Sequence, residues 1–503
     1  MTQIPLLSLL IWSPIVGAVF TLMAGDKRQS TWARRISLLT VLINMALCIP
    51  LYLNFDQSSA SMQFTEYLRW LPAFGIDYEL GVDGISVALI LLTTFTTFVA
   101  LIATWHSIKT KVAQYSAAFL IMQGLLVGVF TSLNAILFYI FWEATLVPMF
   151  LIIGIWGSDN RVYAAIKFFL YTFLGSVLML IAFIYLGMKA GTFSLLSFYT
   201  LPIGMTAQIL IFVAFLLSFA IKVPMWPVHT WLPDAHTEAP AGGSIVLAAV
   251  LLKLGAYGFL RFSLPIAPDA SHYLAWFMIA LSLIAVIYIG FVAIVQTDMK
   301  KLIAYSSISH MGFVTLGFFV IYLIVKSGHV EQVGLAFEGA IFVMISHGFI
   351  SGALFAAVGY LYERLHTRQI KDFGGIVNTM PLMASFVMLF VMGNAGLPGT
   401  SGFVGEFMVI LGSAQANFWV AFAAGTTLML GAAYNLWMYK RVFFGDIVNA
   451  QVALVRDIKG FEVFAFGLLG LMVLFFGLYP APILNLVHTS AQHILTLGTM
   501  TKL

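Results

Sequence analysis

The sequence predicts an all-α polytopic membrane protein of about fourteen transmembrane helices. Three observations carry this. Of 503 residues, 61% are hydrophobic and only 9% are charged, against ~25% charged in a soluble domain. Apolar runs long enough to cross a ~30 Å hydrocarbon core recur along the whole length. The runs are continuous, whereas a β-barrel would show ~10-residue segments alternating apolar and polar.

The expected spans are 4–24, 36–55, 85–105, 114–132, 134–156, 164–187, 208–227, 242–262, 274–296, 302–325, 333–361, 380–412, 417–439 and 461–485. Span 1 runs its full length without the small-residue cleavage site of a secretory signal, so it is expected to be kept as a helix. Span 2 contains Cys48, the one cysteine of the chain, which by itself makes neither an intrachain disulfide nor an iron–sulfur site. The longest hydrophilic segment, roughly 56–84, contains Trp70 and Pro72 and reads as a loop.

Spans 7 and 12 depart from the rest. Span 7 ends in "KVPMWP", and the overlong span 12 holds "GNAGLPGTSGFVGEF" (393–407), so both are expected to be broken helices. The stretch "HTWLPDAH" reads as a loop leading from span 7 to the next helix. Without a linker or low-complexity stretch, residues 1–503 form one membrane domain. Within it, 114–262 and 274–439 are read as two five-helix repeats, spans 4–8 and 9–13, with 461–485 as a last transmembrane helix. Five is odd, so the repeats are inverted, and the two broken spans fall at matching positions. Such a pair points to a mid-membrane transport site.

The formal charge of +4 does not mark a nucleic-acid partner, because the basic residues follow topology rather than a patch. Loops after the odd-numbered spans hold sixteen of the twenty-four Lys and Arg residues. The other face holds Arg69, Lys189, Arg261, Lys326 and Lys502, and the spans themselves hold Lys167, Lys222 and Lys253. The positive-inside rule then places both termini outside, on the periplasmic side in a bacterium.

Titratable residues deep in spans are Glu143, Lys222, Lys253, His310, His347 and Glu406. A charge at a helix centre costs about 2.5–3.5 kcal/mol on insertion scales. All six lie near one depth on different helices, so together they suit a proton relay running in the membrane plane. Burial lowers a lysine pKa and raises a glutamate pKa while pairing opposes both, and histidine, with its pKa near 6.5, serves as an intermediate. Lys167, near a span end on the basic side, reads as a snorkelling lysine. Glu338 reads equally as an interfacial group or a functional carboxylate, and each histidine also has a reading as an ordinary interhelical hydrogen-bonding group. Pro224 and Pro227 free carbonyls beside Lys222, and Gly396, Pro398, Gly399 and Gly402 do so ahead of Glu406. Such backbone survives in a bilayer only where protein or cavity water satisfies it.

The stretches "HTWLPDAHTEAPAGGSIVLAAVLLKLGAYGFLRF", "QTDMKKLIAYSSISHMGF", "LYERLHTR" and "GFVGEFMVILG" resemble the antiporter-like subunits of respiratory complex I. The likeness runs from "LGVDGIS" at 81 to the last span. A glutamate at the span 12 break is similar to the M-type branch, chain 4 in mitochondria, whose sister branches usually carry lysine there. The resemblance implies fourteen helices and proton translocation driven by NADH:quinone oxidation. It implies Glu143 as the span 5 carboxylate, Lys222 as its partner, Lys253 as the central relay lysine, and His310 and His347 leading to Glu406. It also implies that NADH, FMN, iron–sulfur clusters and quinone belong to partner subunits, with no cofactor in this chain, and that its membrane neighbours are of L and N type. Three other readings stay open: a subunit of a multisubunit Na+/H+ antiporter or membrane-bound hydrogenase, a cytochrome b-like haem carrier using His310 and His347, and a structural spacer.

Overall fold

The structure, a computed structural model, describes residues 5–25, 31–447 and 449–503. Ile4, Lys27 and Arg28, which entered the readings above, lie outside them. Twelve helices of the described residues are long and apolar enough to cross a membrane. In chain order, spans 1 to 6 are Leu6–Met23, Thr31–Leu53, Gly84–Ala103, Val112–Thr131, Ala135–Trp156 and Arg161–Ala190. Span 7 follows as Met205–Lys222, then span 8 (Ala241–Ile266), span 9 (Ala275–Ile294), span 10 (Met299–Lys326) and span 11 (Val333–Leu365). Span 14 is Phe461–Leu478. Two more helical spans complete fourteen: span 12, split into Pro381–Asn394 and Ser401–Ala416, and the less apolar span 13, Phe418–Phe443.

Asx side chains start several of these helices. Asp83 accepts the Ser86 N–H at 3.0 Å, Asn134 the Ile136 N–H at 3.1 Å, and Asp298 the Lys300 N–H at 2.8 Å. Each satisfies a backbone donor that has no intrahelical partner. The core is built from spans 8, 10 and 11, whose most apolar eighteen-residue stretches are 100%, 94% and 100% buried, against 39%, 33% and 28% in spans 1, 2 and 14. The residues expected to carry chemistry on spans 8, 10 and 11 are therefore screened from lipid by a shell of other helices. Buried amides help to join that shell: Gln123 of span 4 donates to Asn44 of span 2 at 2.7 Å, and Asn44 donates to the Leu10 carbonyl of span 1 at 3.0 Å.

Several expectations are corrected. The hydrophilic segment read as a loop folds into an antiparallel hairpin, β1 (Gln63–Leu71) and β2 (Ile76–Val82), turned by Pro72–Phe74 and Gly75 at φ 65°. Its side of the bundle is called the hairpin face below. The stretch "HTWLPDAH" is not a loop: Trp231–Glu238 is a second half-helix, 7b, buried beyond the break after 7a (Met205–Lys222). Pro233 sits in its first turn, where a missing N–H costs nothing. The last span stops at Leu478, because Pro480 cannot continue the ladder, and a separate helix, Ala481–Thr499, follows. Its buried residues Ile483, Leu486, Val487, Ser490, Ala491, Ile494, Leu495 and Gly498 recur every three or four positions, so one face lies against the bundle. Finally, Arg261 and Lys300, assigned to loops, are buried inside spans 8 and 10.

Candidate functional site

Both expected breaks are present. Half-helix 7a ends on Lys222, and the Ala220 carbonyl freed by Pro224 and the Ile221 carbonyl left over beside it find protein donors. The Met225 N–H reaches the Ala220 carbonyl at 2.7 Å, and the Trp231 indole reaches that of Ile221 at 2.8 Å. Half-helix 7b thus closes the break it follows. In span 12, Pro381–Asn394 (12a) and Ser401–Ala416 (12b) are joined through Gly396 and Gly399 at φ 76° and 89°, conformations a side chain would strain. The second half starts so close to the first that a Cβ on Gly402 would strike the Gly393 carbonyl.

Span 5 carries Glu143 immediately before an irregularity at Thr145, where Pro148 withholds an N–H from the Ala144 carbonyl. Glu143 lies beside Ser176 and within electrostatic reach of Lys222. The two are not bonded, however: Glu143 Oε1 and Lys222 Nζ are both buried without a hydrogen-bond partner. The Lys222 ammonium instead lies over the rings of Trp142, at 5.3 Å, and Phe168, at 5.7 Å. A desolvated cation–π contact is worth about 2 kcal/mol, less than a bonded counter-ion in the same place. Lys222 is poised beside Glu143 rather than locked to it.

Lys253 sits in the middle of span 8, fully buried between two π-helical segments, Leu247–Leu251 and Phe259–Ser263. Single π turns of this kind gather at functional sites. Its Nζ reaches the Ala248 carbonyl at 2.6 Å and His347 Nδ1 at 2.8 Å. The His347 and His310 rings stand 5.8 Å apart. His310 Nδ1 meets Glu406 Oε1 at 2.7 Å. The other imidazole nitrogens, His347 Nε2 and His310 Nε2, are buried and unpartnered. A cavity of about 10 Å³ lined by both rings, Ser346, Asn394 and Glu406 lies there. It has room for about one water, and none for the macrocycle of a haem, so the haem reading does not fit these histidines.

The structure therefore joins Lys253, His347, His310 and Glu406 in one line across spans 8, 11, 10 and 12, with Lys222 and Glu143 as a second, looser group on spans 7 and 5. Glu338 lies elsewhere, at the hairpin-face end of span 11, 2.8 Å from His488 Nδ1 of the C-terminal helix. Lys167 does not simply snorkel: its Nζ pairs with Asp234 of 7b at 2.7 Å.

Sequence reasoning missed His236, on 7b. It is fully buried, stacked on Phe355 with centroids 4.1 Å apart, and has both ring nitrogens unpartnered. It stands within electrostatic reach of Lys253 and Lys300. The available signal was the histidine itself, hidden because two prolines and an aspartate made its surroundings read as a turn. Also missed was Asp83, whose carboxylate pairs with Arg261 inside the bundle.

A family model described as "NADH:quinone oxidoreductase/Mrp antiporter, TM" matches residues 132–431. The chain is 46% identical to NADH-quinone oxidoreductase subunit M of Rhodobacter capsulatus, with 99% of this chain and 98% of that protein aligned. Among solved structures, a chain of respiratory complex I from Thermus thermophilus with bound NADH superposes with a TM-score of 0.87 at 29% identity, covering 98% of this chain and 100% of that one. A chain of the Mrp complex from Dietzia sp. DQ12-45-1b shares the fold, with a TM-score of 0.80 at 20% identity over 98% of this chain and 55% of that one. The chain belongs to the NADH:quinone oxidoreductase/Mrp antiporter transmembrane family, as a homologue of NADH-quinone oxidoreductase subunit M.

Proposed function

We propose that this chain, an antiporter-like proton-translocating subunit of NADH:quinone oxidoreductase, moves protons through Glu143, Lys222, Lys253, His347, His310 and Glu406. The observation that carries the reading is the buried line from Lys253 Nζ through two imidazoles to Glu406 Oε1, with contacts of 2.8 Å and 2.7 Å at its ends. The partners also set complementary tautomers along it. An ammonium donating to His347 Nδ1 leaves Nε2 of that ring as its N–H, and a His310 Nδ1–H donating to Glu406 leaves its Nε2 as an acceptor. A donor on one ring and an acceptor on the other thus belong to rings that line one cavity with room for about one water. A proton leaving Lys253 for His347 Nδ1 releases the Nε2 proton toward His310, which passes its Nδ1 proton to Glu406. No atom other than hydrogen needs to travel.

In this reading separation of Lys222 from Glu143 starts the transfer, and the looseness of that pair is what allows it. Moving one charge against 100 mV takes ~2.3 kcal/mol, supplied by redox chemistry at NADH, FMN, iron–sulfur clusters and quinone in partner subunits. Neighbouring antiporter-like subunits of L and N type flank it. The repeats at 114–262 and 274–439 are inverted, the last span Phe461–Leu478 follows them, and both termini face the periplasmic side of a bacterial inner membrane.

The test is Lys222→Ala in the assembled complex, with proton pumping and quinone reduction measured together. Pumping is expected to fall with assembly retained. Pumping equal to the parent would remove Lys222 from the pathway.

A further inference from the structure

A large apolar cavity lies away from the relay residues. It has a volume of about 540 Å³ and lies between spans 2, 3, 11 and 14 and the start of the C-terminal helix. We propose that it holds one acyl chain of a phospholipid from the leaflet on the hairpin face.

Depth is the first argument. On span 2 the lining runs from Leu53, the last residue, inward to Met45, about 12 Å at 1.5 Å per residue. On span 11 it reaches Ile345 and Phe349, roughly 18–24 Å from the helix start at Val333. The cavity thus extends from the membrane face to mid-membrane, the depth of one leaflet of a ~30 Å core. A side chain of a neighbouring subunit is too short to fill such a length.

Chemistry is the second. The lining carries no charged side chain, and two of its polar groups are engaged: Cys48 Sγ lies 3.6 Å from Thr94 Oγ1, and Thr94 donates to the Leu91 carbonyl at 3.0 Å. Water needs two to four polar partners to be held, and beyond Cys48 and Thr94 the lining side chains supply only the Tyr52 hydroxyl. The space is many times that of the one-water cavity beside the two histidines. Ile49, Leu53 and Phe475 at the rim are exposed, so the cavity opens sideways to lipid.

The site backs onto the relay helix. Ile345 and Phe349 flank His347 in the chain, and Leu92, another lining residue, abuts the Cα of Gly348 closely enough that a Cβ there would lie 3.0 Å away. The acyl chain packs against the face of span 11 opposite His347.

The experiment uses the whole complex in proteoliposomes containing phosphatidylethanolamine with a diazirine midway along one acyl chain. After irradiation, adducts are expected on Met45, Cys48, Leu92 and Phe349. Ala88→Trp, which fills the cavity from its wall, should lower them about tenfold. Ile49→Trp, at the exposed rim, does the same should the first variant not assemble. Adducts confined to outward residues of span 2 such as Leu39 and Ile43 would overturn the proposal. So would labelling of the cavity by a diazirine-tailed quinone but not by the phospholipid, or cross-links from these residues to another subunit.

Discussion

His310 Nδ1 lies 2.7 Å from Glu406 Oε1, joining span 10 to half-helix 12b in the interior of the bundle. Among the described residues the other ring nitrogen, His310 Nε2, has no hydrogen-bond partner. In the proposed relay the pair is the proton-holding unit at the end of the line from Lys253. A positioned proton-transfer group is worth on the order of 10²–10⁴ in rate, so Glu406→Gln, which keeps the shape and loses the carboxylate, is expected to lower coupled proton pumping at least ~10-fold. Assembly, judged by native gel, stays intact. Glu406→Asp retains part of the activity.

Arg261 and Asp83 form a buried ion pair between span 8 and the start of span 3, with Ser86 as a further contact of the arginine at 3.2 Å. Arg261→Met strands a buried carboxylate and is expected to destabilise the protein by ~3–5 kcal/mol. Adding Asp83→Asn recovers much of this, because asparagine still caps span 3. Thermal unfolding of the complex in detergent measures both, and equal melting of the single and double variants would contradict the pairing.

Gly255 lets span 8 lie against half-helix 7a. A Cβ there would stand 2.6 Å from the Phe219 carbonyl oxygen and 2.8 Å from the Val223 nitrogen, both backbone. Gly255→Ala therefore overpacks the contact, at ~1–3 kcal/mol, and shifts Lys222 at the end of 7a. Reduced thermal stability together with reduced pumping is expected. Gly467→Ala, where nothing lies within 4 Å, is the neutral comparison.

Lys502 docks the C-terminal tail: its Nζ donates to the Phe198 carbonyl at 2.8 Å and its N–H to Asp269 Oδ2 at 2.9 Å. Burial pushes its pKa down from 10.5 to about 8, against the opposing pull of Asp269. Between those values the undocked tail holds more protons than the docked one, so docking strengthens as pH rises from about 8 toward 10.5 and is weakest below. A spin label on Thr501→Cys in a Cys48→Ser background should become less mobile from pH 7.5 to pH 10. Lys502→Met should abolish that dependence, and a mobility flat with pH in the parent would contradict it.

Much of the proposed relay was legible because ionisable groups stand out in apolar runs, as Lys222, Lys253, His310, His347 and Glu406 do. The same signal fails for groups in polar surroundings. His236 belongs to a stretch with Asp234, Thr237 and Glu238, and nothing local distinguishes a buried half-helix from a loop there. Arg261 near a span end looks like an interfacial residue until Asp83, far off in the chain, is folded against it.

By itself the sequence determined the class of molecule, the number of spans, the two breaks and the residue types available for proton transfer. Those follow from local physics: transfer free energy summed over some twenty residues, and the missing N–H of proline. Only the tertiary structure decided which groups touch. It set Lys222 over Trp142 instead of on Glu143, brought Lys253, His347, His310 and Glu406 from four spans into one line, and folded the supposed loop after Lys222 into a helix. A hydrogen bond depends on tenths of an ångström between segments distant in sequence, and that distance is set by how whole helices pack.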